Sequence, residues 1–416
     1  MAQLPAPASA DADTDVHSTG HDPGRGAAGR VAAVHAQTRR GLAVSVAFVV
    51  AAVLAAIARV GDAWWVPLHL FAVGGLLSAI ATVTQMLAVT WSTSPAPSRL
   101  VAGAQRWVLA AGALALVAGR EGDATWLFVS GGSLVIAAVL ALVPILLWIR
   151  DRAVTPRFAP AIEGYAAAAV AGAIGMAIGL VLGTGHAGTR TLDLRGAHLI
   201  LNLLGLVGLV IAATLPFFAA TQVRARMSRH ATGTRIRLAL GLLALATALA
   251  ATARFADRPA VVAIGLCAYA LGLLAIVAML PIYDIGRLRW GGARLVQMLL
   301  GIAWWVAMTV ALAVVTVRGT NDRAVLQALV IGGYAQILVA SLAYLGPVLR
   351  GGGHRRLTAG FALTRSWPSV VAGNCAALAA LAGWRPVLLV VTVAWLADIL
   401  VRAVLLVKPA RQVADV

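Results

Sequence analysis

The chain has 416 residues, of which 61% are hydrophobic and only 12% charged, with a mean hydropathy of +0.90. Soluble domains carry roughly 25% charged residues, so this composition excludes a water-soluble enzyme and points to the bilayer, which about 20 residues of helix can cross. The net charge of +18 does not indicate nucleic acid, because the arginines sit in short connections and no basic tract interleaves with aromatics.

Residues 1–40 are rich in Pro, Asp, His, Gly and Arg without apolar periodicity and read as a disordered tail. The first apolar run starts at Gly41 and lacks a small-residue cleavage pattern, so it is expected to be a retained helix rather than a signal peptide. Breaking the chain at Arg, Asp, Gly and Pro clusters gives twelve apolar segments: 41–59, 66–91, 101–119, 124–149, 160–183, 196–222, 236–254, 259–282, 294–317, 324–349, 366–383 and 386–407. Each is expected to span as a helix, which satisfies all its backbone polar groups internally. Residues 408–416 form a short C-terminal tail.

Segments 2, 6 and 10 open alike. His69, His198 and Gln327 are spaced 129 residues apart, and Gly74-Gly75 and Gly332-Gly333 follow the first and third at the same distance. The period covers four segments, an even number, so the copies keep one direction through the membrane. Pro144 and Pro281, late in segments 4 and 8, are a looser second marker. The expected fold is an all-α polytopic membrane protein of 12 transmembrane helices, three four-helix repeats around a pseudo-threefold axis.

With the N-terminus inside, 24 of the 33 basic residues fall in inner connections and nine in outer ones. The positive-inside rule then places both termini in the cytoplasm of a cell-membrane protein. Nine of the twelve tryptophans lie near segment ends, while Trp304, Trp305 and Trp395 lie deeper and read as packing residues.

An ionisable group inside a membrane helix marks a functional-site hypothesis. His69 and His198, at similar depth near the outer face, are the candidates for binding metal or heme, against the plainer reading that each only hydrogen-bonds a carbonyl. Asn202 lies four residues after His198 on the same face and is a candidate to orient the ring or to bond across to a neighbouring helix, and Gln327 at the third repeat position is the other candidate to support the site from behind the ligands. Asp398 and Arg402 are four apart and read as a structural ion pair. Gln85 and Gln336 are expected to bond between helices, and Gly172, Gly175 and Gly179 to form a small-residue packing face. Cys267 and Cys375 read as packing residues, His186 as a solvated loop residue, and Glu163 and Asp284 as solvated near inner helix ends. No phosphate-loop, zinc-protease or nucleophile-elbow motif stands in a credible context.

Three stretches carry a family resemblance: His69 to Gly74, Gly196 to Leu209, and Gly333 to Leu338 followed by Ala343 to Leu349. With twelve segments in three arcs, they resemble the heme-copper oxidase catalytic subunit. They are more similar still to its NnrS-type relatives and to the membrane portion fused to some copper-type nitrite reductases. The resemblance implies heme or copper as cofactor, a role in nitrogen-oxide or copper physiology, and a separate copper protein or redox partner. In oxidases, low-spin heme is held from helices 2 and 10 and copper from helices 6 and 7. His69 and His198 match helices 2 and 6, but Gln327 stands on helix 10 and segment 7 has no histidine. The resemblance therefore implies a chain that is not a complete oxidoreductase on its own. Two other classes stand beside it: a metal-free transporter or permease, and a structural subunit that has lost its redox site.

Overall fold

The computed structural model describes residues 27–60, 64–282, 285–351 and 353–407. Among these residues every regular element is helical. In chain order they are α1 (Ala27–Ala58), α2 (Trp65–Ser92), α3 (Arg99–Glu121), α4 (Thr125–Asp151), α5 (Pro156–Gly183), α6 (Gly188–Gln222), α7 (Gly233–Phe255), α8 (Pro259–Val277), α9 (Ile285–Arg318), α10 (Arg323–Arg350), α11 (Gly353–Leu363), α12 (Trp367–Leu381) and α13 (Arg385–Val407). Helices α5 and α6 each begin with a short 3₁₀ turn.

Eleven of these helices are long and apolar enough to cross a membrane. The eleventh expected span, α12, has 15 residues, a length of about 22 Å against the roughly 30 Å of a hydrocarbon core. Pro368 fixes its first turn, and Gly383, in the left-handed region at φ 71°, turns the chain out just past its end. Helix α11 lies between the tenth and eleventh expected segments and was not foreseen, because Gly353-His354-Arg355-Arg356 reads as a loop.

Helix α1 begins at Ala27, so residues 27–40, expected to be disordered, are helical. Alanine-rich sequence favours a helix there, and the end is anchored: Val34 and Thr38 are buried, Arg39 donates to Leu349 O at 3.2 Å, and Arg106 to Gln37 O at 3.0 Å. The tails 1–26 and 408–416 lie outside the described residues. The two prolines offered as a repeat marker are not equivalent, since Pro144 is inside α4 while α8 ends at Val277, ahead of Pro281.

Two regularities organise the bundle. Helices α2, α6 and α10 each contain a π-helical stretch close behind the repeated His or Gln, at Leu70–Leu76, Leu201–Gly208 and Leu329–Ala335. The preceding helix packs on each stretch: α1 on the first, α5 on the second, α9 on the third. Helices α3, α7 and α12 begin at Ser98, Thr232 and Ser366, 134 residues apart. Each hydroxyl accepts from the backbone N–H three residues on, at 3.2, 3.3 and 3.0 Å, an N-cap in all three cases. These helices pair with their successors α4, α8 and α13. A continuous apolar core runs from Val34 to Leu349.

The wide turn of a π-helix frees carbonyls that α-helical bonding would satisfy, and side chains reach them. Ser45 donates to Gly75 O at 2.7 Å, and Gln336 to Gly332 O at 3.0 Å. In α6 two tyrosines do this work: Tyr334 donates to Leu203 O and Tyr269 to Leu204 O, each at 3.0 Å. The third stretch thus ties to the second through Tyr334, and Gln222 of α6 reaches Ala340 O of α10 at 3.3 Å.

Candidate functional site

Both candidate histidines sit just ahead of a π stretch, half-buried. The His69 Nδ1 lies 2.8 Å from Trp65 O, one turn back on its own helix. The His198 Nδ1 lies 2.7 Å from Gly175 O, on the neighbouring helix α5. A carbonyl oxygen can only accept, so in both neutral rings the proton is on Nδ1 and the lone pair on Nε2. Neither Nε2 has a hydrogen-bond partner among the described residues. The carbonyl-bonding reading is therefore correct for both rings, and it leaves each with a free nitrogen donor.

Helix α5 provides the seat for His198 through the small-residue face expected of it. A β-carbon at Gly179 would lie 2.8 Å from His198 Cε1, and one at Gly175 would meet Asn202 Nδ2 at 2.5 Å. Gly172 faces Leu206 in the same way. Asn202 Nδ2 donates to His198 O at 2.8 Å, and its 3.3 Å approach to Nδ1 is a contact with an atom that already donates elsewhere. Asn202 thus bonds the backbone carbonyl under the ring, one turn back on its own helix.

The surroundings of His69 are aromatic. Trp65 stacks on its ring at 4.0 Å and 20°, and Phe128 of α4 is 6.4 Å from Trp65. Arg120, at the end of α3, lies 5.7 Å over Trp65 and donates to Gly183 O at the end of α5. Arg254, 134 residues after Arg120, packs its stem against Gly196, two residues ahead of His198. The site thus gathers the ends of α2 to α6. Among the described residues no three His, Cys, Asp or Glu side chains assemble as a metal cage.

The other expected residues fall elsewhere. Gln327 opens α10 but makes no hydrogen bond among the described residues and is not a partner of either histidine. Asp398 and Arg402 do pair, Nε lying 3.0 Å from both carboxylate oxygens. Ser366 also donates to Asp398 at 2.7 Å, and Arg402 donates to Leu363 O at 2.7 Å, so the pair clamps the start of α12. Gln336 bonds between helices by accepting from Asn374, but Gln85 only reaches Ala81 O on its own helix. Cys267 and Cys375 are exposed on the outside of the bundle, not packed within it. Glu163 is paired rather than merely solvated, held by Arg237 at 2.7 Å, and His186 is exposed beside Thr184. Asp284 lies outside the described residues.

Sequence reasoning missed the π stretches, the hydroxyl caps and the Trp65–His69 stack. The caps were legible as Ser98, Thr232 and Ser366 at equal spacing. Compared with known proteins, the chain matches no family model and no curated sequence.

Proposed function

We propose that this is a multi-pass protein of the cytoplasmic membrane, both termini inside, that holds copper or heme near its outer face through Nε2 of His69 and His198. Three four-helix units around a pseudo-threefold axis are the architecture we infer. It is supported by the 129-residue period, the π stretch in each second helix and the capped start of each third. The observation that carries the site is the shared tautomer: both rings commit Nδ1 to a backbone carbonyl and leave Nε2 free, the arrangement usual for metal-bound histidine. Neutral imidazoles without thiolate or carboxylate suit copper or an axial heme position. Bound there, the group would supply one-electron chemistry. Arg120 opposes a bare cation beside His69 and favours a metal carrying an anionic ligand.

With two histidines and no third donor among the described residues, the chain is a binding or electron-passing component in nitrogen-oxide or copper physiology, working with a separate copper or redox protein, and not a complete oxidoreductase. The test is an absorption spectrum with metal analysis on detergent-purified protein. A Soret band, or about one copper per chain, that falls several-fold in His69→Ala and His198→Ala is expected. Protein that never contains stoichiometric iron or copper overturns the reading.

A second reading, a metal-free transporter or permease, has one observation in its favour. A cavity of about 350 Å³ opens between α6, α8, α9 and α10. It is apolar inside, along Leu203, Leu266 and Leu312, with Arg254, Asn321 and Asp322 at its mouth. The third class, a structural subunit without its redox site, is what remains if neither metal nor solute binds.

A further inference from the structure

At the opposite end of the bundle from the histidines lies a charge without a counter-charge among the described residues. Helix α9 is broken at Gly292, whose φ of 59° and ψ of −148° are not helical. Regular helix therefore resumes at Ala293, and Arg294 stands in its first turn. Arg294 is only 1% exposed, yet its Nε, Nη1 and Nη2 have no hydrogen-bond partner. Aromatic rings enclose it: Phe361 at 4.5 Å, Tyr344 at 5.6 Å and Trp290 at 5.9 Å from the guanidinium carbon.

Two further arginines share one of these rings. Arg224 lies 4.6 Å and Arg365 5.8 Å over Trp290, and Arg365 donates to Trp290 O at 2.7 Å. Both side chains are exposed, and both repel Arg294. Asp398, which accepts from Ser366 next to Arg365, is already paired with Arg402. Cation–π contacts offset part of the desolvation of Arg294. They leave its five N–H donors unsatisfied, and the first turn of a helix adds its own free N–H groups and positive end.

We infer that Arg294, Arg224 and Arg365 form a binding site for a phosphate oxyanion. Arg294 is the buried floor, whose planar fork matches two oxygens of a tetrahedral anion. Arg224 and Arg365 are the exposed rim, and Trp290 and Phe361 are the apolar wall. The phosphate can come from an anionic phospholipid headgroup or from a soluble phosphorylated compound, since both present the same oxygens. An arginine-rich membrane-flanking position suits the former.

The test is thermal unfolding and native mass spectrometry of the full-length protein. It is compared in phosphatidylglycerol nanodiscs, in phosphatidylcholine nanodiscs, and in the latter with inorganic phosphate against chloride at matched ionic strength. Stabilisation by phosphatidylglycerol or by phosphate, but not by phosphatidylcholine with chloride, is expected. Arg224→Ala and Arg365→Ala should each weaken the apparent affinity by about fivefold, and Arg294→Gln should abolish it. If Arg294→Gln fails to fold, the Arg224→Ala/Arg365→Ala double variant carries the test. An effect of phosphatidylglycerol alone assigns a lipid, and an equal effect of inorganic phosphate assigns a soluble anion. Wild type and double variant responding identically in every arm overturns the site. This result does not bear on the histidine site, which lies at the other end.

Discussion

Gly179 is where the absence of a side chain matters most for the candidate site. The nearest ring atoms of His198 would lie 2.8 and 3.0 Å from a β-carbon there, so Gly179→Ala must push the imidazole away from α5. Overpacking of this kind costs about 1–3 kcal/mol, and the hydrogen bond to Gly175 O is weakened with it. The expected outcome is a several-fold lower metal or heme content with His198 still present, read by the same spectrum and metal analysis. Unchanged content in a well-folded Gly179→Ala protein would mean that the ring position does not matter. Some of this detail was legible in the sequence: His69, His198, Asn202 and the glycine face were all visible as residue types at helical spacing. The tautomer was not, because it depends on which carbonyls the fold brings to the two rings. Arg294 was counted only as one more inner-loop arginine, since nothing in its immediate neighbours reveals that Gly292 breaks the helix and buries it.

The π stretches are the element-scale feature that sequence periodicity could not expose. One extra residue per turn leaves composition and length unchanged, yet it rotates everything on one side by about 100° relative to the other. A 3.6-residue wheel drawn through α6 therefore misplaces His198 against the inner half of the helix. The stretch in α6 is held by Tyr269 and Tyr334 through their hydroxyls. Hydrogen bonds between membrane helices average about 0.6 kcal/mol, so Tyr269→Phe and Tyr334→Phe should each lower the melting temperature by roughly 1–2 °C. The pair together should lower it further, and differential scanning of the purified variants checks this. A double variant as stable as wild type would show that these bonds do not support the stretch. Helix ends were read from sequence to within a few residues where Arg, Gly or Pro cluster. The readings failed at α1, where an alanine-rich run continues the helix past polar residues, and at α12, where the apolar run is longer than the helix.

At the scale of the whole molecule, composition alone established a helical bundle for the bilayer, and the arginine distribution suggests its orientation. Single cysteines at His186 and Asn321 should react with an impermeant maleimide in intact cells, and cysteines at Ser228 and His354 only after permeabilisation. Cys267, exposed within a span, and Cys375, exposed on the short apolar helix α12, should stay unreactive in the membrane. The reverse pattern would invert the topology and place the histidines inside.

On the three-unit proposal, the shared π stretch also has an evolutionary meaning. A widened turn amounts to one inserted residue, and three independent insertions at corresponding places would be a coincidence. One insertion in a four-pass ancestor, inherited when the gene was triplicated, accounts for all three. Such an ancestor would have closed its ring from three identical chains, and loss of that identity is what allowed two copies to keep histidine while the third drifted to glutamine.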